Sequence, residues 1–159
     1  VVGDLQREKG KTLAVAESCT AGLLGKRITD IPGSSDYFWG GAICYANEAK
    51  VRILGVSEET LRRFGAVSEQ CAREMARGIR RLSGADIGVA ITGIAGPTGG
   101  TPEKPVGLVH FALSAGDGEW HAVRIFPGDR ESVRMRATTT ALDMVRRYLI
   151  GLPIRERGI

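Results

Sequence analysis

The chain has 159 residues, which is enough for one domain of ordinary size built around a single hydrophobic core. Its residues are 43% hydrophobic and 25% charged, a composition that excludes a disordered chain, a collagen-like chain and a disulfide-stapled miniprotein. The net charge of +4 permits an anionic ligand but does not demand nucleic acid, because the basic residues are spread along the chain.

Cysteine usage and hydropathy together predict a cytoplasmic protein. The three cysteines, Cys19, Cys44 and Cys71, lie far apart and include no CxxC pair, which favours a reducing compartment. No apolar run approaches the roughly 18 residues of a membrane span, and residues 1–12 lack the pattern of a signal peptide. We therefore expect no membrane contact.

Two hydrophobic periods alternate along the chain. Short apolar runs such as TLAVA and IGVAIT are typical of buried strands, whereas apolar residues spaced three and four apart indicate amphipathic helices. In the first half of the chain the pattern predicts a helix over 1–10, a strand over 12–16, a helix over 18–29, a loop over 30–37 and a strand over 38–45. Three helices are then predicted over 47–54, 57–64 and 68–82, followed by a strand over 87–92 and a loop over 93–105. The chain continues with a hairpin of strands over 106–114 and 120–126 and a helix over 130–150.

This order of elements predicts the fold class. Strands separated by helices imply a largely parallel sheet that is covered on both faces, and the hairpin adds antiparallel strands. We therefore predict an α/β fold with a single domain over 1–159. Its architecture should be a three-layer α/β/α sandwich with a mixed, largely parallel sheet and a C-terminal β-hairpin plus helix. Ligands of such folds bind beyond the carboxyl ends of the strands.

The first polar segment after a strand places Ser18 at a sharp strand-to-helix turn. Its neighbours, including Thr20, are small enough for a ligand to approach the backbone amides of the turn. Ser18 could equally be an ordinary helix cap. Cys19 is a rival nucleophile near the same helix terminus, although both histidines fall in or beside the hairpin rather than near it in sequence.

The second segment supplies a base for a serine nucleophile. Lys50 lies three residues past the expected cap Asn47, where burial and the positive end of the helix dipole would both lower its pKa. A neutral lysine can accept the proton of a serine hydroxyl. Tyr45 ends the preceding strand and could relay that proton or orient Lys50. The alternative is an exposed lysine that the position simply tolerates.

The third segment and the last helix add groups suited to an anion. Thr92 and the backbone amides from Gly93 to Gly96 could cradle an oxyanion or a phosphate, although glycine-rich loops are often only turns. Arg130 lies in the apolar sector of the last helix and should reach past the end of the sheet, where an anion could pair with it. Alternatively, it extends to solvent or pairs with Asp129 or Glu131.

These residues resemble the CinA C-terminal family, which includes nicotinamide mononucleotide deamidases. The resemblance runs from residue 13 to residue 149. Its carriers are the blocks AESCTAG, DIPGSSDYFWGGAICYANEAK, GVAITGIAGPTGGTPEKPVGLV and FPGDR, in this order. Several spaced blocks in the right order are far more specific than any single one.

The resemblance implies an amidohydrolase that converts nicotinamide mononucleotide and water to nicotinic acid mononucleotide and ammonia. Ser18 matches the family's nucleophile, and Lys50 and Tyr45 match its base apparatus. No cofactor is implied, and we expect no metal because the sequence shows no clustered histidines and cysteines. The residues expected to bind substrate are Cys19, Thr20, Thr92, Gly93, Gly96 and Arg130. Arg130 matches the family's arginine after GD, but its assignment to the substrate phosphate rests on geometry rather than on the motif.

Two other functions remain open at the level of sequence. The chain could be a binding module, part of a longer protein, that keeps the pocket but has little turnover. It could also bind nucleic acid, in which case its affinity would fall steeply with salt, but no groove-reading helix or paired-aromatic pattern supports this. We expect a small pyridine nucleotide as substrate, no nucleic acid as partner, and a homo-oligomer.

Overall fold

The computed structural model describes residues 1–158, and these form a mixed sheet between two layers of helices. The strands of this part of the chain are β1 (Leu13–Glu17), β2 (Phe38–Ile43), β3 (Ile87–Gly93), β4 (Leu108–Ala115) and β5 (Gly118–Ile125). Its α-helices are α1 (Val2–Lys9), α2 (Leu23–Thr29), α3 (Asn47–Leu54), α4 (Glu58–Phe64), α5 (Glu69–Ser83) and α6 (Arg130–Ile150).

The sheet confirms the predicted fold class. Its strand order is β2-β1-β3-β4-β5, with β1 parallel to both β2 and β3, and with β4 and β5 added as an antiparallel hairpin. Because β1, β2 and β3 run in the same direction, their carboxyl ends meet at one edge of the sheet. The three polar segments selected from the sequence follow these three ends.

The two faces of the sheet differ in the size of their side chains. Large apolar residues of β1 and β3 face the layer that contains α6, whereas small residues face the layer that contains α5. The large set is Leu13, Val15, Ile87, Val89 and Ile91, and the small set is Ala14, Ala16 and Ala90. Since small side chains let backbones approach closely, α5 packs nearer to the sheet.

The close packing around α5 leaves no room for a side chain at Gly78. A β-carbon at this position would overlap the backbone carbonyl of Leu54, at the end of α3. Backbone atoms cannot move away as a flexible side chain can. Gly78 therefore sets the distance between α5 and α3, the helix that carries Lys50.

The structure corrects several predicted boundaries. The N-cap of α3 is Ala46, so Asn47 is the first residue of the helix and not its cap. Helix α2 begins at Leu23 rather than at Ser18, because the chain first makes a tight turn in which Ala21 and Gly22 both have positive φ. Strand β2 ends at Ile43, so Tyr45 follows the strand instead of ending it. The hairpin strands lie one or two residues from their predicted positions and are joined through Gly116 and Asp117.

The chain after α6 returns to the sheet. The N–H of Val123 on β5 donates to the carbonyl of Glu156 at 2.6 Å, and Val123 and Arg157 form a parallel bridge. The Arg124 guanidinium also donates to the carbonyls of Arg155 and Glu156. We call residues 153–158 the C-terminal tail. Among the helices described, none is long and apolar enough to cross a bilayer.

We predict that Gly78→Ala lowers the free energy of unfolding by about 1–3 kcal/mol, because the added methyl group overpacks the contact between α5 and α3. Urea denaturation would measure this. Gly25→Ala is the matched control, since a β-carbon there meets only ordinary contacts, the nearest at 3.5 Å. The control should be neutral or stabilising, as alanine favours a helix over glycine. Equal losses of unfolding free energy in both variants would contradict the conclusion that Gly78 sets the distance between α5 and α3.

Candidate active site

The loops after β1, β2 and β3 enclose a pocket of about 350 Å³. Most of the residues predicted to form the site line this pocket. They are Ser18, Cys19, Tyr45, Lys50, Thr92, Gly93, Gly96 and Arg130. The pocket therefore brings together side chains from three strand ends and from the first turn of α6, as expected for an open α/β sheet.

Ser18 lies in the tight turn that links β1 to α2. Its N–H donates to the carbonyl of Ile91 on β3 at 3.1 Å, which extends the pairing of the strands. Its hydroxyl lines the pocket and makes no hydrogen bond to any other residue in 1–158. Although Ser18 is only 7% exposed, its hydroxyl is thus available to a ligand.

A buried carboxylate, that of Glu17, holds this turn in place. Its Oε1 accepts hydrogen bonds from the Thr20 hydroxyl at 2.6 Å and from the Leu24 N–H at 2.8 Å. Its Oε2 accepts from the Gly25 N–H at 3.0 Å. Glu17 thereby satisfies the free amides at the start of α2 in place of a capping serine.

Glu17 is the residue that sequence reasoning missed, and Thr20 has a different position from the one expected. The Thr20 hydroxyl points to Glu17, and Thr20 does not line the pocket. A glutamate as the last residue of an otherwise apolar strand was the available signal, because a buried carboxylate requires several donors. The sequence alone did not show which donors these are.

Lys50 is a buried lysine without an acidic partner. It is 1% exposed, and its Nζ donates to the backbone carbonyl of Tyr45 at 2.9 Å. No carboxylate of the described residues lies within 4.0 Å of Nζ. Burial lowers the pKa of Lys50 from its ordinary value of 10.5, and the thiols of nearby cysteines oppose this shift without reversing it.

The three cysteines are buried free thiols. Burial raises the pKa of Cys19 to about 11 and that of Cys71 to about 11, and it also raises the pKa of Cys44. A thiol with a raised pKa is a poor source of thiolate at neutral pH. In residues 1–158 neither histidine contacts Cys19, since both belong to a separate cluster on β4 and β5. The geometry thus disfavours Cys19 as the nucleophile.

Tyr45 and Arg130 meet at the mouth of the pocket. The Arg130 guanidinium donates to the Tyr45 hydroxyl at 3.2 Å and to the carbonyl of Gly96. Tyr45 thus contacts Lys50 through its backbone carbonyl, while its phenol contacts Arg130. Arg130 is exposed rather than directed into the core, and it pairs with neither Asp129 nor Glu131 among the ion pairs of the described chain.

The glycine-rich loop after β3 forms another wall of the pocket. The Thr92 hydroxyl donates to the carbonyl of Ala66 at 2.9 Å, so it anchors the loop before α5. Gly93 ends β3, and Gly96 has a φ of 86°, a conformation that side chains rarely adopt. This turn exposes the Gly96 carbonyl to Arg130.

The electrostatics of the pocket favour an anionic ligand. Lys50 and Arg130 are its two basic residues, and no aspartate or glutamate of the described chain lines it. Among the described residues, the guanidinium of Arg130 bonds only to neutral oxygens. A phosphate or carboxylate at the mouth could therefore pair with Arg130 without displacing an acidic side chain.

Residues 1–149 match the family model described as the CinA C-terminal domain. The chain belongs to this family. It is 55% identical over 157 residues to a CinA-like protein of Desulfovibrio desulfuricans, an alignment that covers 97% of this chain and 37% of the relative. The chain thus spans only about 37% of the length of the first curated relatives that it matches.

Solved structures of similar length share the fold. A CinA superfamily protein from Klebsiella pneumoniae superposes with a TM-score of 0.91 at 36% identity, over 94% of each chain. A competence/damage inducible protein from Agrobacterium tumefaciens superposes with a TM-score of 0.86 at 43% identity, over 94% of this chain and 95% of that one. These structures place the fold, over 94% of the chain, within the CinA superfamily.

We predict that Lys50→Met raises the free energy of unfolding at neutral pH. The variant should also lose the part of the pH dependence of this free energy that Lys50 causes. The pKa of Lys50 is lower in the folded chain than in the unfolded chain, where it is 10.5. At pH values between the folded-state pKa and 10.5, the unfolded chain therefore binds more protons than the folded chain. Stability of the wild type should therefore rise with pH across this window. Lys11→Met, at an exposed lysine, is the control. Denaturation curves at several pH values would test this, and identical pH slopes for Lys50→Met and the wild type would contradict it.

Proposed function

We propose that this domain is an amidohydrolase that converts nicotinamide mononucleotide and water to nicotinic acid mononucleotide and ammonia. The observation that carries the proposal is that Ser18, whose hydroxyl has no partner among residues 1–158, shares one pocket with the buried Lys50, which has no acidic partner in the same part of the chain. Such a pair is suited to nucleophilic attack on a carbonyl group. The identity of the substrate rests on the family resemblance.

In the first half of the reaction, Ser18 Oγ attacks the carboxamide carbon of the nicotinamide ring. Neutral Lys50 accepts the hydroxyl proton through a bridging water, because its Nζ bonds to the Tyr45 carbonyl rather than to Ser18 in this structure. The resulting ammonium then donates a proton to the leaving nitrogen as the C–N bond breaks. Ammonia departs and an ester links the substrate to Ser18.

In the second half, water hydrolyses this ester. Lys50, neutral again, accepts a proton from the attacking water and passes it to Ser18 Oγ as the C–O bond breaks, and the carboxylic acid that forms loses its proton to solvent. The products are the carboxylate of nicotinic acid mononucleotide and the free serine. Burial supports this cycle, because it lowers the pKa of Lys50 and so favours the neutral amine that each attack requires.

The backbone after Ser18 is suited to hold the negative charge that develops on the substrate oxygen. The N–H groups of Cys19 and Thr20 make no hydrogen bond to another residue in the part of the chain described. They follow the nucleophile directly, in a turn that Glu17 holds in place. Of the two, only Cys19 lines the pocket, so we assign its amide to the oxyanion, since a preorganised donor stabilises the charge without reorientation.

Arg130 supplies the contact for the substrate phosphate in this proposal. It lies at the mouth of the pocket, whereas Ser18 and Lys50 are buried. A mononucleotide could thus direct its phosphate outward to Arg130 and its carboxamide inward to Ser18. The competing function is a binding module without turnover, which is favoured by the absence of a direct Lys50–Ser18 hydrogen bond.

We predict that Ser18→Ala lowers the rate of ammonia release from nicotinamide mononucleotide by at least about 1,000-fold, because the ester can no longer form. Cys19→Ala is the matched control and should keep most of the activity, since the thiol of Cys19 is not activated. Ammonia release and chromatography of the product would measure both. Wild-type activity in Ser18→Ala would refute the mechanism, and binding of nucleotide by the wild type without release would favour the binding module.

We predict that Arg130→Met raises KM for nicotinamide mononucleotide by about 10- to 100-fold, because a charge-assisted contact to phosphate is lost. For nicotinamide riboside, which lacks the phosphate, the variant and the wild type should have equal kcat/KM. Arg136→Met, at an exposed arginine of the same helix that does not line the pocket, is the control. An equal loss with both substrates would show that Arg130 does not bind the phosphate.

A further inference from the structure

A second cluster of titratable side chains lies where α5, β5 and the C-terminal tail meet. His121 Nδ1 is 3.2 Å from Glu156 Oε1 and 3.8 Å from Glu69 Oε1. One ligand atom from each of these residues lies within 4.8 Å of the other two. None of the three residues lines the pocket that holds Ser18.

His121 is buried and its ring is held from the opposite side. Its side chain is 3% exposed, and its Nε2 lies 2.9 Å from Nδ1 of His110. The two imidazole rings stack with their centroids 5.2 Å apart. Because His110 occupies Nε2, Nδ1 is the nitrogen that faces the two carboxylates.

The negative charge of the cluster is only partly compensated. Arg73 Nε bonds to Oε2 of Glu69 at 2.9 Å, which leaves Oε1 facing His121. No lysine or arginine of residues 1–158 lies within 4.0 Å of the Glu156 carboxylate. Two carboxylates thus converge on one buried ring nitrogen, and among residues 1–158 only one guanidinium, that of Arg73, lies within 4.0 Å of either carboxylate. This arrangement favours an added cation.

We propose that Glu69, His121 and Glu156 bind a divalent transition-metal ion of the zinc type. Zinc bonds of about 2.0–2.2 Å to nitrogen and oxygen in a tetrahedron require ligand atoms roughly 3.4 Å apart. The distances of 3.2 and 3.8 Å from His121 Nδ1 bracket this value. Glu156 is 57% exposed, so water reaches the cluster and can fill the fourth position.

The imidazole protons are consistent with this assignment. When Nδ1 binds the metal, Nε2 carries the ring proton and donates it to Nδ1 of His110. A metal-bound histidine usually donates its other N–H to a fixed acceptor in this way. Without a metal, Nδ1–H of His121 donates to Glu156 instead, which gives a hydrogen-bonded chain from His110 through His121 to Glu156. The experiment must distinguish this metal-free hydrogen-bonded chain from a metal site.

The ion would fasten the C-terminal tail to the domain. Glu156 belongs to the tail, which besides the His121 contact is joined to β5 by hydrogen bonds with Val123 and Arg124. Glu69 is the first residue of α5, so a shared ion would connect three segments that are distant in sequence. Metal binding should therefore stabilise the fold without taking part in the chemistry at Ser18.

The experiment titrates chelator-treated protein with Zn²⁺ by calorimetry and with Co²⁺ by absorption spectroscopy. We expect one equivalent of Zn²⁺ to bind, a tetrahedral Co²⁺ spectrum, and a higher Tm and slower proteolysis of the tail with Zn²⁺. Glu156→Gln, at a side chain that is 57% exposed, should weaken Zn²⁺ binding by at least about 10-fold and abolish the protection. Glu8→Gln, at an exposed carboxylate of α1 that is not part of the cluster, is the control.

Two further variants distinguish the cluster from other metal sites. Glu69→Gln should weaken Zn²⁺ binding as Glu156→Gln does, and His110→Phe should weaken it by about 10- to 100-fold through loss of the acceptor for His121. Wild-type protein that binds no Zn²⁺ would overturn the proposal in favour of the hydrogen-bonded chain. Binding that survives both glutamate variants but disappears after thiol alkylation would overturn it in favour of the cysteines.

Discussion

The buried carboxylate of Glu17 is the interaction on which the geometry of the candidate site depends. It accepts hydrogen bonds from the Thr20 hydroxyl and from two amides of α2, and so fixes the turn between β1 and the helix. That turn sets the direction of Ser18 and leaves the following amide, that of Cys19, free for a ligand. A residue that touches no substrate in the proposed reaction thus determines where the nucleophile and the oxyanion donor lie. Its three hydrogen bonds compensate the cost of burying the charge.

The packing of the sheet produces the second feature of the site, the buried lysine. Small side chains on one face of β1 and β3, together with Gly78, allow α5 to approach, and α5 in turn packs against α3. Lys50 is therefore enclosed at the start of α3 with a carbonyl group as its hydrogen-bond acceptor. Burial without a counter-charge destabilises the ammonium form, which is a cost to stability that a catalytic base requires.

Sequence reasoning located the edge of the sheet correctly because that edge depends on periodicity. The runs of β1, β2 and β3 and the polar residues that follow them predicted that Ser18, Lys50 and Thr92 would converge, and the structure brings them together. Contacts that depend on side-chain geometry could not be predicted in this way. Neither the bonds of Glu17 to α2 nor the cluster at His121 follows from spacing, since both join residues through turns whose angles the pattern does not specify.

The charges of the pocket suit the proposed reaction at both of its ends. The phosphate is anionic before and after the reaction, so Arg130 can hold it throughout, at the exposed end of the pocket. The carboxamide is neutral, and its hydrolysis creates a carboxylate beside Lys50. An ammonium at Lys50 would pair with this product and slow its release, whereas the neutral amine favoured by burial attracts it less. In the proposed reaction, the burial that lowers the pKa of Lys50 therefore also assists the departure of the product.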